Sequence, residues 1–371
     1  MFTLIIKKIE ICGYRNLCDI IFTPVSDINV IYGENAQGKT NLLEAMWLFT
    51  GGHSFRGAKD NELIAFGASS FKMNMKFFSE QREQFAKINM TNGKRNVTIN
   101  NIQKKSASVL VGKFCAVIFS PEHLSLIKEG PSNRRNFVDG GLCQSKPAYA
   151  RLLMHYNRTL SQRNSLLKEI TKNAQLQDTL EIWNEKLVKY GVLIVQERLA
   201  YLNMLEPIAR DIYFGISSQK EQLSLSYDCS FIKDRQVKLE TAFIEKLKSS
   251  QKSDLLVGYT TIGPHRDDIS FYINSISARM YGSQGQQRSV ALALKLAEAK
   301  VMESIIGDKP VVFLDDVMSE LDKYRQDYIL NHLKNRQVFI TCCDPNAIKQ
   351  LRQGALFNMK QGKLCEKIIL S

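Results

Sequence analysis

A glycine-rich segment near the amino terminus has the spacing of a phosphate-binding loop. Gly33, Gly38, Lys39 and Thr40 satisfy the pattern GxxxxGK[ST]. In this pattern successive backbone amides surround phosphate oxygens, the lysine reaches the outer phosphates, and the hydroxyl binds Mg²⁺. The segment therefore predicts a site for a nucleotide triphosphate and Mg²⁺.

Two adjacent carboxylates near the other end of the chain fit the same chemistry. The apolar run 311–314 ends in Asp315 and Asp316. Two carboxylates at the end of a buried strand are costly unless a cation or a reaction employs them. We expect Asp315 to hold Mg²⁺ through water, and Asp316 to orient or deprotonate the water that attacks the nucleotide.

A third segment, YGSQGQQR at 281–288, precedes a helical pattern that runs to Ile306. Serine, glycine and glutamine at a helix N-terminus can form a second phosphate cradle. One γ-phosphate cannot easily use both cradles of one chain. We therefore expect a symmetric dimer in which the cradle of each protomer caps the ATP of the other. A polar N-cap on a core helix is the alternative.

The elements that must position these residues follow from hydrophobic periodicity. The apolar run 28–32 predicts a strand that leads into the glycine-rich loop, and helical spacing after Lys39 predicts that the loop opens a helix. Alternation over 71–100 predicts an antiparallel meander with a turn at Asn92 and Gly93. Further patterns predict helices over 147–205 and strands at 223–232, 255–261 and 269–273.

Lys39 and Asp315 stand 276 residues apart in the 371-residue chain, so the nucleotide domain must be split. We expect an α/β fold: a P-loop ATPase lobe from 1–125 and 255–371, whose two pieces share one sheet. A mainly helical lobe, 126–254, is inserted between them.

The composition narrows the class of partner. The 371 residues include 50 Lys or Arg against 37 Asp or Glu, a formal net charge of +13, which favours a polyanion or an acidic membrane surface. No apolar run approaches the length of a membrane span, and the amino terminus does not have the pattern of a signal peptide. We expect a soluble protein of the cytoplasm that has no membrane partner. The eight cysteines show no CxxC pair, which argues against zinc and against a disulfide framework.

The order and spacing of several short segments resemble the RecF family, a group of SMC-like ABC-type ATPases. The resemblance runs almost from end to end of the chain. Its segments are YRNL at 14–17, GENAQGKTNLLEA at 33–45, SFRGAKDNELI at 54–64, FSPEHLSLIKEGPSNRRNFVD at 119–139, LSQRNSLLK at 160–168, GPHRDD at 263–268, GSQGQQR at 282–288 and FLDDVMSELD at 313–322.

The resemblance implies a weak ATPase that dimerises on ATP and binds DNA, both double-stranded and single-stranded, at gaps or junctions. It also implies work with RecR and RecO to load recombinase during recombinational repair and replication restart. Under this reading the metal ligands are Thr40 and Asp315, and Asp316 is catalytic. The nucleotide contacts are Gly33, Asn35, Ala36, Gln37, Gly38, Lys39, Thr40, Asn41, Arg56, Ser283, Gln284, Gly285 and Gln286.

The sequence departs from the general ABC pattern in three places. Asp316 stands where transporters and SMC proteins carry glutamate, which predicts slow turnover. No glutamine marks a Q-loop after the predicted strand 114–119. No histidine occupies the switch position, which leaves Thr341 or Asp344 as the nearest candidates.

Several charged groups allow two readings. Arg56 and Asp60 suit a nucleotide contact or a surface salt bridge, and Arg134 and Arg135 suit phosphate recognition or loop anchoring. The trio 265–267 suits a structural network or catalysis. The basic residues near the meander turns either contact the DNA backbone or form a solvated face; they are Lys94, Arg95, Lys104 and Lys105.

Two other functions compete with the DNA-binding switch. The ATPase subunit of an ABC transporter shares the nucleotide chemistry, but the basic balance of charge argues against it. An SMC-like scaffold or nuclease subunit would need long heptads or a separate metal cluster, and the sequence shows neither.

Overall fold

The computed structural model describes residues 2–91, 93–104, 107–232, 238–344 and 353–370. The chain forms two compact units. The first consists of Met1–Leu124, Gly215–Gln219 and Ala291–Ser371, and the second of Ser125–Phe214 and Lys220–Val290.

The strands of the described chain are numbered β1 to β17. In chain order they are Phe2–Thr3, Ile5–Cys12, Ile20–Phe22, Ile28–Tyr32, Ser70–Ser79, Arg82–Thr91, Lys94–Ile99, Ile102–Lys104, Ala116–Phe119, Leu223–Asp228, Asp268–Ile273, Ile276–Ser277, Asp308–Lys309, Val311–Asp315, Val338–Cys342, Gly354–Lys360 and Lys363–Leu370.

The α-helices of the same residues are numbered α1 to α9. They are Lys39–Trp47, Ser125–Lys128, Pro131–Ser145, Pro147–Ile170, Leu180–Ile216, Leu239–Val257, Ala278–Tyr281, Gln284–Ile306 and Lys323–His332. Short 3₁₀ helices occupy Leu48–Thr50, Asp60–Leu63, Ala107–Leu110, Pro121–Leu124, Ala174–Thr179 and Met318–Glu320. Within the described ranges, no helix combines the length and the apolar character that crossing a bilayer requires.

A six-stranded sheet in the first unit has the order β17-β16-β4-β15-β14-β9. Its strands are parallel except for β17, which pairs antiparallel with β16. Strands β4 and β9 come from the amino-terminal piece and the rest from the carboxyl-terminal piece, so the predicted split sheet is confirmed. All five residues of β14 and of β15 are buried, as expected for central parallel strands. The carboxyl ends of β4, β15 and β14 therefore meet at one edge, where α/β proteins bind ligands.

A second six-stranded sheet in this unit is antiparallel, with the order β3-β2-β5-β6-β7-β8. Side chains of β5 alternate between buried and accessible positions, so one face of the strand covers the core. The predicted meander is thus confirmed. Thr91 pairs with Lys94, and the predicted turn between them includes Asn92, which lies outside the described residues.

The second unit combines the helices α2 to α7 with the sheet β10-β11-β12. The predicted strand at 255–261 is wrong: α6 continues to Val257, and Gly258, with a φ of 73°, caps the helix in the left-handed conformation. Leu255 packs on the apolar cluster of Leu167, Ile170 and Leu180, and this packing outweighs the local β propensity.

Residues 255–290 fall in the second unit, whereas the sequence pattern predicts them in the ATPase lobe. The reason is strand pairing: β11, which lies in this segment, pairs along its whole length with β10 of the middle region.

Candidate nucleotide-binding site

The loop between β4 and α1 has the backbone that a phosphate cradle requires. Gly33, Ala36 and Gly38 have φ values of 151°, 62° and 106°. A Cβ on Gly33 would overlap the carbonyl oxygen of Met359, so a larger residue does not fit there. Residues of left-handed conformation within such a loop turn neighbouring N–H groups to a common side, where an anion can bind.

Lys39 is buried, and its ammonium group lies across this loop. Nζ donates hydrogen bonds to the carbonyl oxygens of Gly33 at 2.6 Å and of Glu34 at 2.8 Å. Phosphate oxygens carry full charge and are stronger acceptors than carbonyl groups. A bound triphosphate can therefore take over the ammonium group from these two carbonyls.

The two predicted metal ligands lie together at the edge of the parallel sheet. Oγ1 of Thr40 donates to Oδ1 of Asp315 at 2.9 Å, although 275 positions separate them in the sequence. Burial raises the pKa of the Asp315 carboxyl, two hydroxyl hydrogen bonds lower it, and the negative charges of Glu122 and Asp316 raise it again. Oxygen donors beside several converging negative charges suit Mg²⁺, so the residues present fit this ion.

Thr341 joins the two aspartates. Its Oγ1 donates to Oδ1 of Asp315 at 2.7 Å and accepts a hydrogen bond from the backbone N–H of Asp316 at 2.9 Å. Of the two candidates for the switch position, Thr341 lies in this network, whereas Asp344 is exposed beyond the end of β15.

Asp316 has an uncommon backbone conformation, with a φ of 53°. Its carboxylate accepts a hydrogen bond from Oγ of Ser319 at 3.1 Å and is only partly buried. Left-handed residues other than glycine often occur at functional sites. The geometry is compatible with the predicted catalytic role.

Glu44 is a buried carboxylate to which the sequence motifs assign no role. It accepts hydrogen bonds from Tyr14 Oη at 2.9 Å, from Arg15 at 2.6 and 2.8 Å, and from Ser54 Oγ at 2.5 Å. The segments YRNL and SFRG are thus both bound to helix α1, which follows the loop. The available signal was a glutamate within the apolar face of that helix.

Three further predicted contacts lie around the loop. Arg56 is exposed, and its guanidinium donates to Oδ1 of Asn41 at 3.1 Å. Oδ1 of Asn35 accepts from the thiol of Cys343 at 3.1 Å. Oε1 of Gln37 accepts a hydrogen bond from the backbone N–H of Gln361, which fixes this side chain to the turn after β16.

Asp60 and Arg95 form an ion pair with each other. Arg95, nearly buried, also donates to the carbonyl of Gly52 at 2.9 Å. These contacts favour a structural role for both. Lys94 is exposed, while the side chain of Lys104 and all of Lys105 lie outside the described part of the chain.

In the second unit, Ser283 and Gln286 form a reciprocal cap at the start of α8. Oε1 of Gln286 accepts from the N–H of Ser283 at 2.8 Å, and Oγ of Ser283 accepts from the N–H of Gln286 at 3.2 Å. Ser283 and Gln284 are exposed, and a Cβ on Gly285 would meet no atom within 4 Å. The N-cap alternative is therefore present, and the Ser283 hydroxyl still has its proton to donate to a ligand.

The arginines of the segment at 119–139 anchor elements of the second unit. Arg134 forms two hydrogen bonds with Asp268, at 2.7 and 2.9 Å, and Arg135 donates to the carbonyl of Asp267 at 2.7 Å. The anchoring alternative therefore describes both.

His265 also belongs to a structural network. Its Nδ1 lies 2.6 Å from Tyr156 Oη, and its Nε2 lies 3.1 Å from the carbonyl oxygen of Thr260. Burial lowers the pKa of His265 to about 4, so the ring is neutral at pH 7.

The chain is similar to many curated proteins over most of its length. The "DNA replication and repair protein RecF" of Ruminiclostridium cellulolyticum is 40% identical over 345 residues, which cover 91% of this chain and 92% of that protein. The protein of the same name from Clostridium botulinum (strain ATCC 19397 / Type A) is 38% identical over 363 residues, or 97% and 99% of the two chains.

Solved structures and a family model agree with this similarity. A structure of the recombination mediator protein RecF with ATP, in the RecFOR pathway, superposes with a TM-score of 0.91 at 37% identity and covers 100% of this chain and 98% of that one. An Smc head domain from Pyrococcus furiosus shares the fold, with a TM-score of 0.58 at 15% identity over 100% and 97% of the chains. The model of the RecF/RecN/SMC N terminal domain matches residues 5–365. The chain therefore belongs to the RecF family of ABC-type ATPases.

Proposed function

We propose that this chain is an ATP-gated DNA-binding protein of replication and recombinational repair. One observation carries the proposal: Thr40, Asp315, Thr341 and the N–H of Asp316 form a continuous hydrogen-bonded chain beside the phosphate loop. The names of the relatives, which refer to DNA replication and repair, support the biological setting.

The residues of the first unit would divide the work as follows. Backbone N–H groups of the loop bind phosphate oxygens, and Lys39 contacts the β- and γ-phosphates. Thr40 and Asp315 would hold Mg²⁺, which when bound neutralises charge on the phosphate oxygens. Asp316 orients the attacking water and accepts its proton.

The cradle at Ser283 would act on the ATP of a second protomer. The reciprocal cap of Ser283 and Gln286 leaves an exposed hydroxyl and a helix N-terminus, both of which favour an anion. ATP bound between two protomers would stabilise the dimer by mass action, and hydrolysis would release it.

DNA is the partner that the charge supports. A formal net charge of +13 favours a polyanion, and contacts to phosphates serve both double-stranded and single-stranded DNA. The solved relative belongs to the RecFOR pathway, which supports RecR and RecO as protein partners and the cytoplasm as the location. The transporter alternative is not favoured, since both the family model and the relatives point elsewhere.

Light scattering during gel filtration tests the proposal. With ATP and Mg²⁺ the mass should double, and the dimer should retain gapped duplex DNA, whereas Lys39→Met should stay monomeric. A wild-type protein that stays monomeric with ATP, or that retains DNA equally well without it, would contradict the proposal.

A further inference from the structure

A turn near the carboxyl terminus holds the phosphate loop from outside. The turn joins β16 to β17, and none of the sequence motifs includes it. The N–H of Gly362 donates to the carbonyl oxygen of Gln37 at 3.0 Å, and the N–H of Gln361 donates to Oε1 of Gln37 at 2.5 Å.

A second segment holds the neighbouring residue of the loop. Nδ2 of Asn16 donates to the carbonyl oxygen of Ala36 at 3.0 Å. Asn16 is itself oriented by Asn41, whose Nδ2 donates to Oδ1 of Asn16 at 2.7 Å. Two successive carbonyl groups of the loop, those of Ala36 and Gln37, thus bind donors outside it.

These two carbonyl groups determine where two N–H groups point. In a planar trans peptide the C=O of one residue and the N–H of the next point in opposite directions. Because Asn16 and the turn hold the carbonyls of Ala36 and Gln37, the N–H groups of Gln37 and Gly38 point away from these two holding segments.

The turn Gln361–Gly362 and the segment that contains Asn16 pack tightly against each other. Gly362 has a φ of 72°, and a Cβ on it would overlap the carbonyl oxygen of Asn16. The carbonyl of Gly362 in turn accepts from the N–H of Cys18 at 3.0 Å. The turn and the segment that contains Asn16 are therefore locked to each other as well as to the loop.

From this geometry we infer that Asn16 and the turn Gln361–Gly362 are positioning residues for ATP binding. They hold two amides of the loop in the phosphate-binding orientation before the nucleotide arrives, so that binding does not have to order them. The inference rests on the proposed binding of ATP at this loop.

The test compares two glycines of similar conformation. Gly362→Ala introduces both a left-handed alanine and the overlap with Asn16. Gly67→Ala introduces a left-handed alanine at a φ of 79° with no atom within 4 Å, so it controls for backbone strain alone. Isothermal titration with ATP should give a Kd about tenfold weaker for Gly362→Ala and a wild-type Kd for Gly67→Ala. At saturating ATP, hydrolysis by Gly362→Ala should stay close to the wild-type rate.

Asn16→Ala provides a second route should Gly362→Ala fail to fold. It removes the bond to Ala36 without adding an atom, and it should also weaken ATP binding while leaving the hydrolysis rate at saturation unchanged. Variants that fold and bind ATP as tightly as wild type would overturn the inference. A wild-type protein that does not bind ATP would instead overturn the proposed function, so the two failures are distinguishable.

Discussion

The hydroxyl of Thr341 lies 2.7 Å from Oδ1 of Asp315, and the two residues stand directly opposite each other on neighbouring parallel strands. The same hydroxyl accepts the backbone N–H of Asp316. One side chain therefore orients the predicted metal ligand and also fixes the backbone that carries the predicted general base. Thr341 is one of the two residues, with Asp344, that the sequence offers for the switch position.

Thr341→Val should lower the rate of ATP hydrolysis by roughly tenfold. It also leaves the N–H of Asp316 without its acceptor, which should cost about 1–3 kcal/mol in stability. Thr341→Ser keeps the hydroxyl and should retain most of the hydrolysis rate and most of the stability. Steady-state hydrolysis and thermal unfolding of the two variants measure the effects. Equal rates for valine and serine would remove Thr341 from the catalytic network.

Asp316→Asn should keep ATP binding, slow hydrolysis by at least about a hundredfold, and lengthen the lifetime of the dimer. An amide hydrogen-bonds to water but cannot take its proton, and asparagine tolerates the left-handed backbone as well as aspartate does. Single-turnover hydrolysis measures the rate, and Asp178→Asn, at an exposed position, is the matched control. Single-turnover rates that are the same for both variants would exclude Asp316 as the base.

His265 should make stability depend on pH. Burial lowers its pKa from 6.5 to about 4, so between these values the unfolded chain binds the proton more readily than the folded one. The contribution of the neutral ring to the free energy of unfolding is complete above pH 6.5 and is lost as the pH falls towards 4. At pH 5 the loss amounts to about 2 kcal/mol.

Urea unfolding at pH 8 and pH 5 tests this effect, with His265→Gln as the variant. His123, whose pKa burial lowers to about 3, acts in the same direction and should persist in that variant. In His265→Gln the difference in the free energy of unfolding between pH 8 and pH 5 should therefore be smaller than in the wild type but not zero. An undiminished difference in His265→Gln would show that its protonation does not contribute.

Much of the site could be predicted because its parts are contiguous strings. The loop 33–40, the pair Asp315 and Asp316, and the segment around Ser283 each carry their chemistry within a few residues. The split sheet followed from their order along the chain, since the loop strand and the aspartate strand had to meet.

The supporting contacts could not be predicted because they join segments that lie apart in the sequence and meet only in the folded chain. Glu44 binds two segments on either side of it, and the turn at Gln361 and Gly362 reaches the loop from the far end of the chain. The donors of the turn are backbone N–H groups, which are the same at every residue, so its contacts leave little trace in residue type. The predicted strand at 255–261 was wrong because Leu255 packs on an apolar cluster of residues that are distant in the sequence, and this packing favours helix over strand.

The central claim is that two protomers complete each ATP site, and it is tested most directly by mixing two inactive variants. Lys39→Met should lose ATP binding, and Ser283→Arg should bind ATP but fail to dimerise. In the mixed dimer one site carries both changes and the other carries neither, so the mixture should recover part of the wild-type hydrolysis rate. A mixture that forms dimers by light scattering but stays as inactive as its components would contradict the claim.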